Sequence, residues 1–64
     1  MSRRDVLDHL RAQGCEFYRQ GGRHEMWWRP ASGHTAPVPR HRIIKRGIVR
    51  SICRLLDIPL PPGL

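Results

Sequence analysis

Apolar residues recur on two different periods along this chain, and the change of period divides it into elements. Near the N-terminus the spacing is helical: Val6, Leu7 and Leu10 share one face. Ser2-Arg3-Arg4-Asp5 has the form of a capping box, with aspartate in place of the usual glutamate. Gly14 fits the left-handed position that closes a helix. These signals predict a first helix over residues 3–13, with His9 on its surface beside the apolar stripe.

From Cys15 the pattern alternates. On a strand, Cys15, Phe17 and Arg19 share one face and Glu16, Tyr18 and Gln20 the other. Gly21-Gly22 reads as a two-residue hairpin turn, since a primed turn needs positive φ at its centre. Residues 24–29 return as a second strand, with faces His24/Met26/Trp28 and Glu25/Trp27/Arg29. Each face carries a tryptophan, so either one could meet the helices. Pro30-Ala31-Ser32-Gly33 makes a second turn, and residues 34–38 form a third strand. Pro37 inside that strand points to a sheet edge.

A basic connector, residues 39–46, leads to a second helix over 46–56. Ile48, Val49, Ile52, Cys53, Leu55 and Leu56 fill one wide arc of it, and Arg46, Arg50 and Arg54 line the opposite side. Asp57-Ile58-Pro59 ends the helix, and residues 59–64 are expected to form a flexible, proline-rich tail. The expected architecture is a single α+β domain over residues 1–64, in the order α-β-β-β-α. A three-stranded antiparallel sheet carries both helices on one face and leaves the other open.

Composition narrows what such a domain can do. A chain of 64 residues buries only about 60% of the surface its unfolded form exposes, so any site is shallow or completed by a partner. Twelve lysines and arginines, eleven of them arginine, stand against five acids for a formal charge of +7. That balance favours polyanionic partners, nucleic acid first, and guanidinium forks suit phosphate. A solubilising surface or an acidic protein partner are the other uses of such a charge. Cys15 and Cys53 belong to no Cys-x-x-Cys pair and read as small buried hydrophobes, with a disulfide as the alternative. No stretch approaches the roughly 20 apolar residues of a membrane span, and no apolar signal-peptide core follows the N-terminus. A cytoplasmic location is expected.

Candidate chemistry is sparse. Glu16 and Glu25 read as ordinary strand residues. The histidines and cysteines have no zinc-ligand spacing, so neither metal nor cofactor is expected. That leaves His24, at the mouth of the hairpin among bases. RNA cleavage needs a proton taken from a 2′-OH, another given to the leaving 5′-oxygen, and positive charge at the phosphate. Imidazole can serve either proton step. Arg23, Arg29, Arg40, Arg42 and Lys45 are the candidate phosphate contacts. His34 and His41 are conceivable for the second proton step, but an edge strand and a loop suit ordinary surface residues. The same basic surface would also serve a non-catalytic nucleic-acid-binding module, or a module that binds an acidic protein.

Several segments together resemble a known family. Gly21-Gly22-Arg23-His24, then Trp27-Trp28-Arg29-Pro30, the Gly33 turn, Val38-Pro39-Arg40-His41 and Ile44-Lys45-Arg46-Gly47-Ile48-Val49-Arg50-Ser51-Ile52 are similar to the HicA toxins of prokaryotic HicAB type II toxin–antitoxin modules. The similarity spans essentially the whole chain in the right order. It implies the double-stranded-RNA-binding-domain-like fold and an mRNA interferase, a metal-independent endoribonuclease masked by a HicB antitoxin. The family's catalytic histidine lies in a Gly-Ser-x-His pattern, which falls on Gly21-Gly22-Arg23-His24. His24 is thereby the implied catalytic residue, and Gly22 stands where serine is usual.

Overall fold

Ser2 begins the first helix by capping it. In the computed structural model, which describes residues 1–64, Ser2 Oγ accepts the Asp5 N–H at 3.1 Å and opens α1 (Arg3–Ala12). Val6, Leu7 and Leu10 are buried on its inner face. The helix closes in a Schellman motif. Gly14, at φ +82°, donates to Arg11 O at 3.0 Å, and Cys15 donates to Leu10 O at 2.9 Å.

Three strands follow: β1 (Glu16–Gly21), β2 (His24–Arg29) and β3 (His34–Pro39), antiparallel and in the order β1-β2-β3. Trp27 lies opposite Phe17 on one side and Ala36 on the other. It is 2% exposed, and Ala36 and Val38 are fully buried. The Glu25/Trp27/Arg29 face therefore meets the helices, and His24, Met26 and Trp28 point to the open face. The Arg11 guanidinium lies 5.2 Å from the Trp27 ring centroid, a cation–π contact that seats α1 on the sheet.

Two local details of the hairpin differ from simple alternation. Phe17 pairs with Trp27 and Arg19 with Met26, so Tyr18 is the extra residue of a β-bulge. Past it the parity of β1 is reversed, and Arg19 does not share the face of Phe17. Tyr18 instead stacks on Trp28 across the open face, with ring centroids 4.9 Å apart. The turn is also centred one residue later than Gly21-Gly22. Gly21 pairs with His24 as the last residue of β1, and Gly22 and Arg23 form the turn. Only Gly22 has positive φ (+56°), the pattern of a type II′ turn, which needs left-handed backbone at its first central residue alone.

Beyond β3 the connector runs back along the start of α1. Ser2 and Ile43 form an isolated antiparallel bridge, and Arg3 N–H donates to Arg42 O at 2.7 Å. Ile44 N–H donates to Met1 O at 2.7 Å, and the Ile44 side chain is buried. The chain then enters α2 (Arg46–Leu56), whose Val49, Ile52, Cys53 and Leu56 complete the core. The buried arc is narrower than the sequence pattern. Ile48 and Leu55 are 42% and 50% exposed, because α2 lies along the edge strand β3 and its flanks have no sheet beneath them.

Residues 59–64, expected as a flexible tail, lie back against the domain. His9 Nε2 is 2.7 Å from Pro59 O. Pro61 is buried, and Ile58 and Leu64 pack on the core. Proline restricts the backbone of this segment beforehand, which lowers the entropy lost on docking.

Candidate active site

His24 is the first residue of β2, and its backbone is held from both sides by pairing with Gly21 and Pro39. Its side chain is exposed at the end of the sheet. Because Pro39 ends β3 directly beside it, the connector must turn there, and α2 starts a few residues on. The result is a shallow cleft of about 230 Å³ lined by His24, Pro39, His41, Ile43, Ile44, Lys45 and Ile48. Three of the side chains lining it can carry charge: His24, His41 and Lys45. The others make an apolar wall, in which Ile43 is 67% exposed.

The cleft also meets the start of α2. Lys45 is the N-cap residue, and no side chain caps the helix. Ile48 and Val49 N–H both turn to Lys45 O, each at 3.0 Å. The Arg46 and Gly47 N–H groups, as the first two of the helix, have no intrahelical acceptor. No acid stands in the first turn. A side chain at Gly47 would meet nothing within 4 Å, so the backbone there is open. Free N–H groups, the positive end of the helix dipole and the Lys45 ammonium all favour an anion at this point.

A second cleft, of about 460 Å³, lies on the other side of the connector and shares Ile43 with the first. Ser2, Arg3, Arg4, Arg40 and Arg42 complete its lining. Arg3 is committed to structure: its Nε donates to Pro39 O at 2.9 Å and its Nη2 to Glu25 Oε1 at 2.5 Å. Arg40 is bonded to Gln20 Oε1. The guanidiniums of Arg4 and Arg42 make no hydrogen bond within the protein, so both can turn to a ligand.

The residues anticipated from the sequence are thus divided. His24 and Lys45 share the first cleft, and Arg40 and Arg42 line the second. Arg23 sits at the exposed hairpin tip and lines neither. Arg29 is at the opposite end of β2, five residues and roughly 16 Å from His24 at strand spacing. It belongs to the helix-covered face, where its charge partly offsets the burial that raises the Cys15 pKa. Arg3 and Arg4 were not among the anticipated site residues, and His41, weighed from the sequence only as a conceivable second proton group on a loop, lines the first cleft with His24. The signal for His41 was its place two residues after the proline that ends β3.

Glu25 is the acid closest to His24 in sequence, but it faces the other way. Burial by itself would raise its pKa. Hydrogen bonds from Trp27 and Arg3, with the charges of Arg3 and Arg40, outweigh that and hold it below the ordinary 4.5. It is an ionised structural anchor and has no proton to give at neutral pH. Nowhere do three His, Cys, Asp or Glu side chains converge as a metal ligand set would require.

Fold and site together define a small basic α+β domain of the double-stranded-RNA-binding-domain type, with two adjoining clefts suited to anions. Residues 3–58 match the family model described as the HicA toxin of bacterial toxin–antitoxin systems. The chain belongs to that family, and thus to the toxins of toxin–antitoxin modules. Comparisons with curated proteins and with solved structures returned no match.

Proposed function

We propose that this protein is an mRNA interferase. It cleaves mRNA by metal-independent acid–base catalysis through His24, and a HicB-type antitoxin holds it in check in the cytoplasm. The observation that carries the reading is the placement of His24 in one cleft with Lys45 and the uncapped start of α2. There the scissile phosphate takes the helix N–H groups and the ammonium, and His24 moves a proton at the 2′- or 5′-oxygen. Proton transfer by a placed imidazole contributes about 10²–10⁴-fold to such a reaction. Positive charge held at the phosphate stabilises the charge that builds in the transition state.

Arg4 and Arg42 hold the neighbouring phosphates in the adjoining cleft, and Arg40 joins them by exchanging its exposed bond to Gln20 for phosphate. Arg23 reaches the strand from the hairpin tip. Arg29 is too far along β2 to touch the scissile phosphate and contributes only to a strand that follows the sheet. The exposed Ile43 and Ile48 at the rim of the cleft give an antitoxin an apolar seat from which to exclude RNA. No helix is long and apolar enough to cross a membrane.

The test is induced expression of wild type and His24→Ala in one host, followed by growth and mRNA integrity. Wild type should arrest growth and degrade mRNA, and His24→Ala should do neither. Equal arrest and degradation by the variant would remove His24 from the chemistry. Purified wild type that shifts RNA in a gel but leaves it uncut for hours would replace the reading with a non-catalytic RNA-binding module.

A further inference from the structure

We infer that His41 is a second catalytic residue, serving the proton step opposite to that of His24 on the same phosphodiester. The inference rests on the endoribonuclease reading above and adds the group that reading lacks.

Cleavage at a 2′-OH requires two proton transfers. One imidazole in its neutral form takes the 2′-OH proton as O2′ attacks phosphorus and the O2′–P bond forms. The P–O5′ bond breaks, and a second group in its protonated form gives a proton to O5′. The products are a 2′,3′-cyclic phosphate and a 5′-hydroxyl. The phosphate bears one negative charge before and after, and water exchange resets the two imidazoles. One histidine can perform only half of this in a concerted step.

The cleft restricts who performs the other half. Besides His24, only His41 and Lys45 among its lining residues ionise. A lysine ammonium neutralises phosphate well, but imidazole is the side chain suited to giving or taking a proton near neutral pH. The other candidates are elsewhere. Glu25 is bound to Arg3 and Trp27. His34 pairs with Arg29 at the far end of the sheet, and His9 faces Pro59 O.

The backbone that carries His41 is anchored on both sides. Pro39 before it pairs with His24, and after it Arg42 O accepts from Arg3 and Ile43 bridges Ser2. Two histidines from two fixed segments, one on a strand and one on the connector, thus line one cleft that also reaches the uncapped start of α2.

The experiment is the pH dependence of RNA cleavage by purified wild type, His24→Ala, His41→Ala and His41→Asn, with thermal melts of each. His41 is exposed, so its variants should melt like wild type. Wild type should give a bell-shaped profile. The His41 variants should cleave about 10²–10³-fold more slowly and lose one limb of the bell, and His24→Ala should lose the other limb. His41 variants that keep both limbs and stay within twofold of wild type would overturn the inference and leave the His24 reading intact. A wild type that cuts no RNA at any pH would overturn the endoribonuclease reading itself, and this inference with it.

Discussion

Arg3 and Glu25 form the one ion pair that joins a helix to the sheet, with Arg3 Nη2 2.5 Å from Glu25 Oε1. The only other pair, Arg11–Asp8, lies within α1. The Trp27 indole N–H donates to the same carboxylate oxygen at 3.2 Å. The carboxylate thus orients the central tryptophan and the first turn of α1 together. Glu25→Gln keeps the shape and removes the charge, leaving a partly buried guanidinium without its counterion. It should cost about 1–3 kcal/mol of stability, read from denaturant or thermal melts. The same contacts set a pH dependence. The folded pKa of Glu25 lies below 4.5, so the unfolded chain takes up the proton first as pH falls. Stability from this group is complete above the unfolded pKa and is lost as pH drops through the folded one. Between pH 6 and 3 the melting temperature of wild type should fall more steeply than that of Glu25→Gln.

Asp57 closes α2 in the left-handed region, at φ +55°, in the position that Gly14 fills after α1. Its N–H donates to Arg54 O at 3.2 Å, and Ile58 N–H donates to Cys53 O at 3.0 Å. A side chain in this conformation costs about 1 kcal/mol or more, and a carboxylate at the negative end of a helix dipole adds to that. Asp57→Gly should raise the melting temperature by several degrees. An unchanged or lower value would show that the carboxylate has a compensating partner in solution.

Gly22 presents the reverse case. Its φ is +56°, and a side chain there would meet no atom within 4 Å. Strain is therefore the sole expected cost of Gly22→Ser or Gly22→Ala, about 1 kcal/mol for either. Both variants should melt several degrees lower and to the same extent. If the serine variant alone also cleaves RNA faster than wild type, its hydroxyl acts on the substrate or on His24 two residues on, a role the alanine variant cannot fill.

Cys15 and Cys53 are free and both buried in the core. Burial raises the pKa of each thiol, and for Cys53 the neighbouring Cys15 adds to the rise. Folded protein at pH 8 should resist iodoacetamide at both positions, and both should label fully in denaturant. A folded pKa above the unfolded one means stability that is present at neutral pH and lost as pH rises through the folded value. The melting temperature should therefore decline above about pH 9, and less so in a Cys15→Ala, Cys53→Ala double variant.

The element order was legible in the sequence because its signals are local. The Ser2 cap, the turn glycines, Pro39 and the period of the α2 face each act within a few residues. The orientation of the sheet was not local. Trp27 and Trp28 look alike in sequence, and the choice between them comes from Arg3, Arg11 and Glu25 acting across elements. The Tyr18 bulge was equally out of local reach, since it is defined by the register against β2 and reverses the parity of β1 only from Arg19 onward.

The candidate site divided along the same line. His24 stood out because a hairpin announces itself. His41 did not, because its nearness to His24 depends on strand register, with Pro39 pairing directly beside the histidine. Arg29 shares the second strand with His24, and strand length alone takes it out of reach. The docking of Pro61 and Leu64 depends on a core surface that no local signal in the tail describes.

The bridge between Ser2 and Ile43 closes a loop of about forty residues around the whole sheet. Both hairpins can form from near neighbours, but this closure needs the two ends of that loop to meet, a slow event in chain-entropy terms. The connector that carries His41 and Lys45 is therefore tied to the placement of α1. A ligand that grips residues 40–45 also slows the opening of Ser2–Ile43, and backbone amide exchange at Arg3, whose N–H is bonded to Arg42 O, will register its arrival from the far side of the connector.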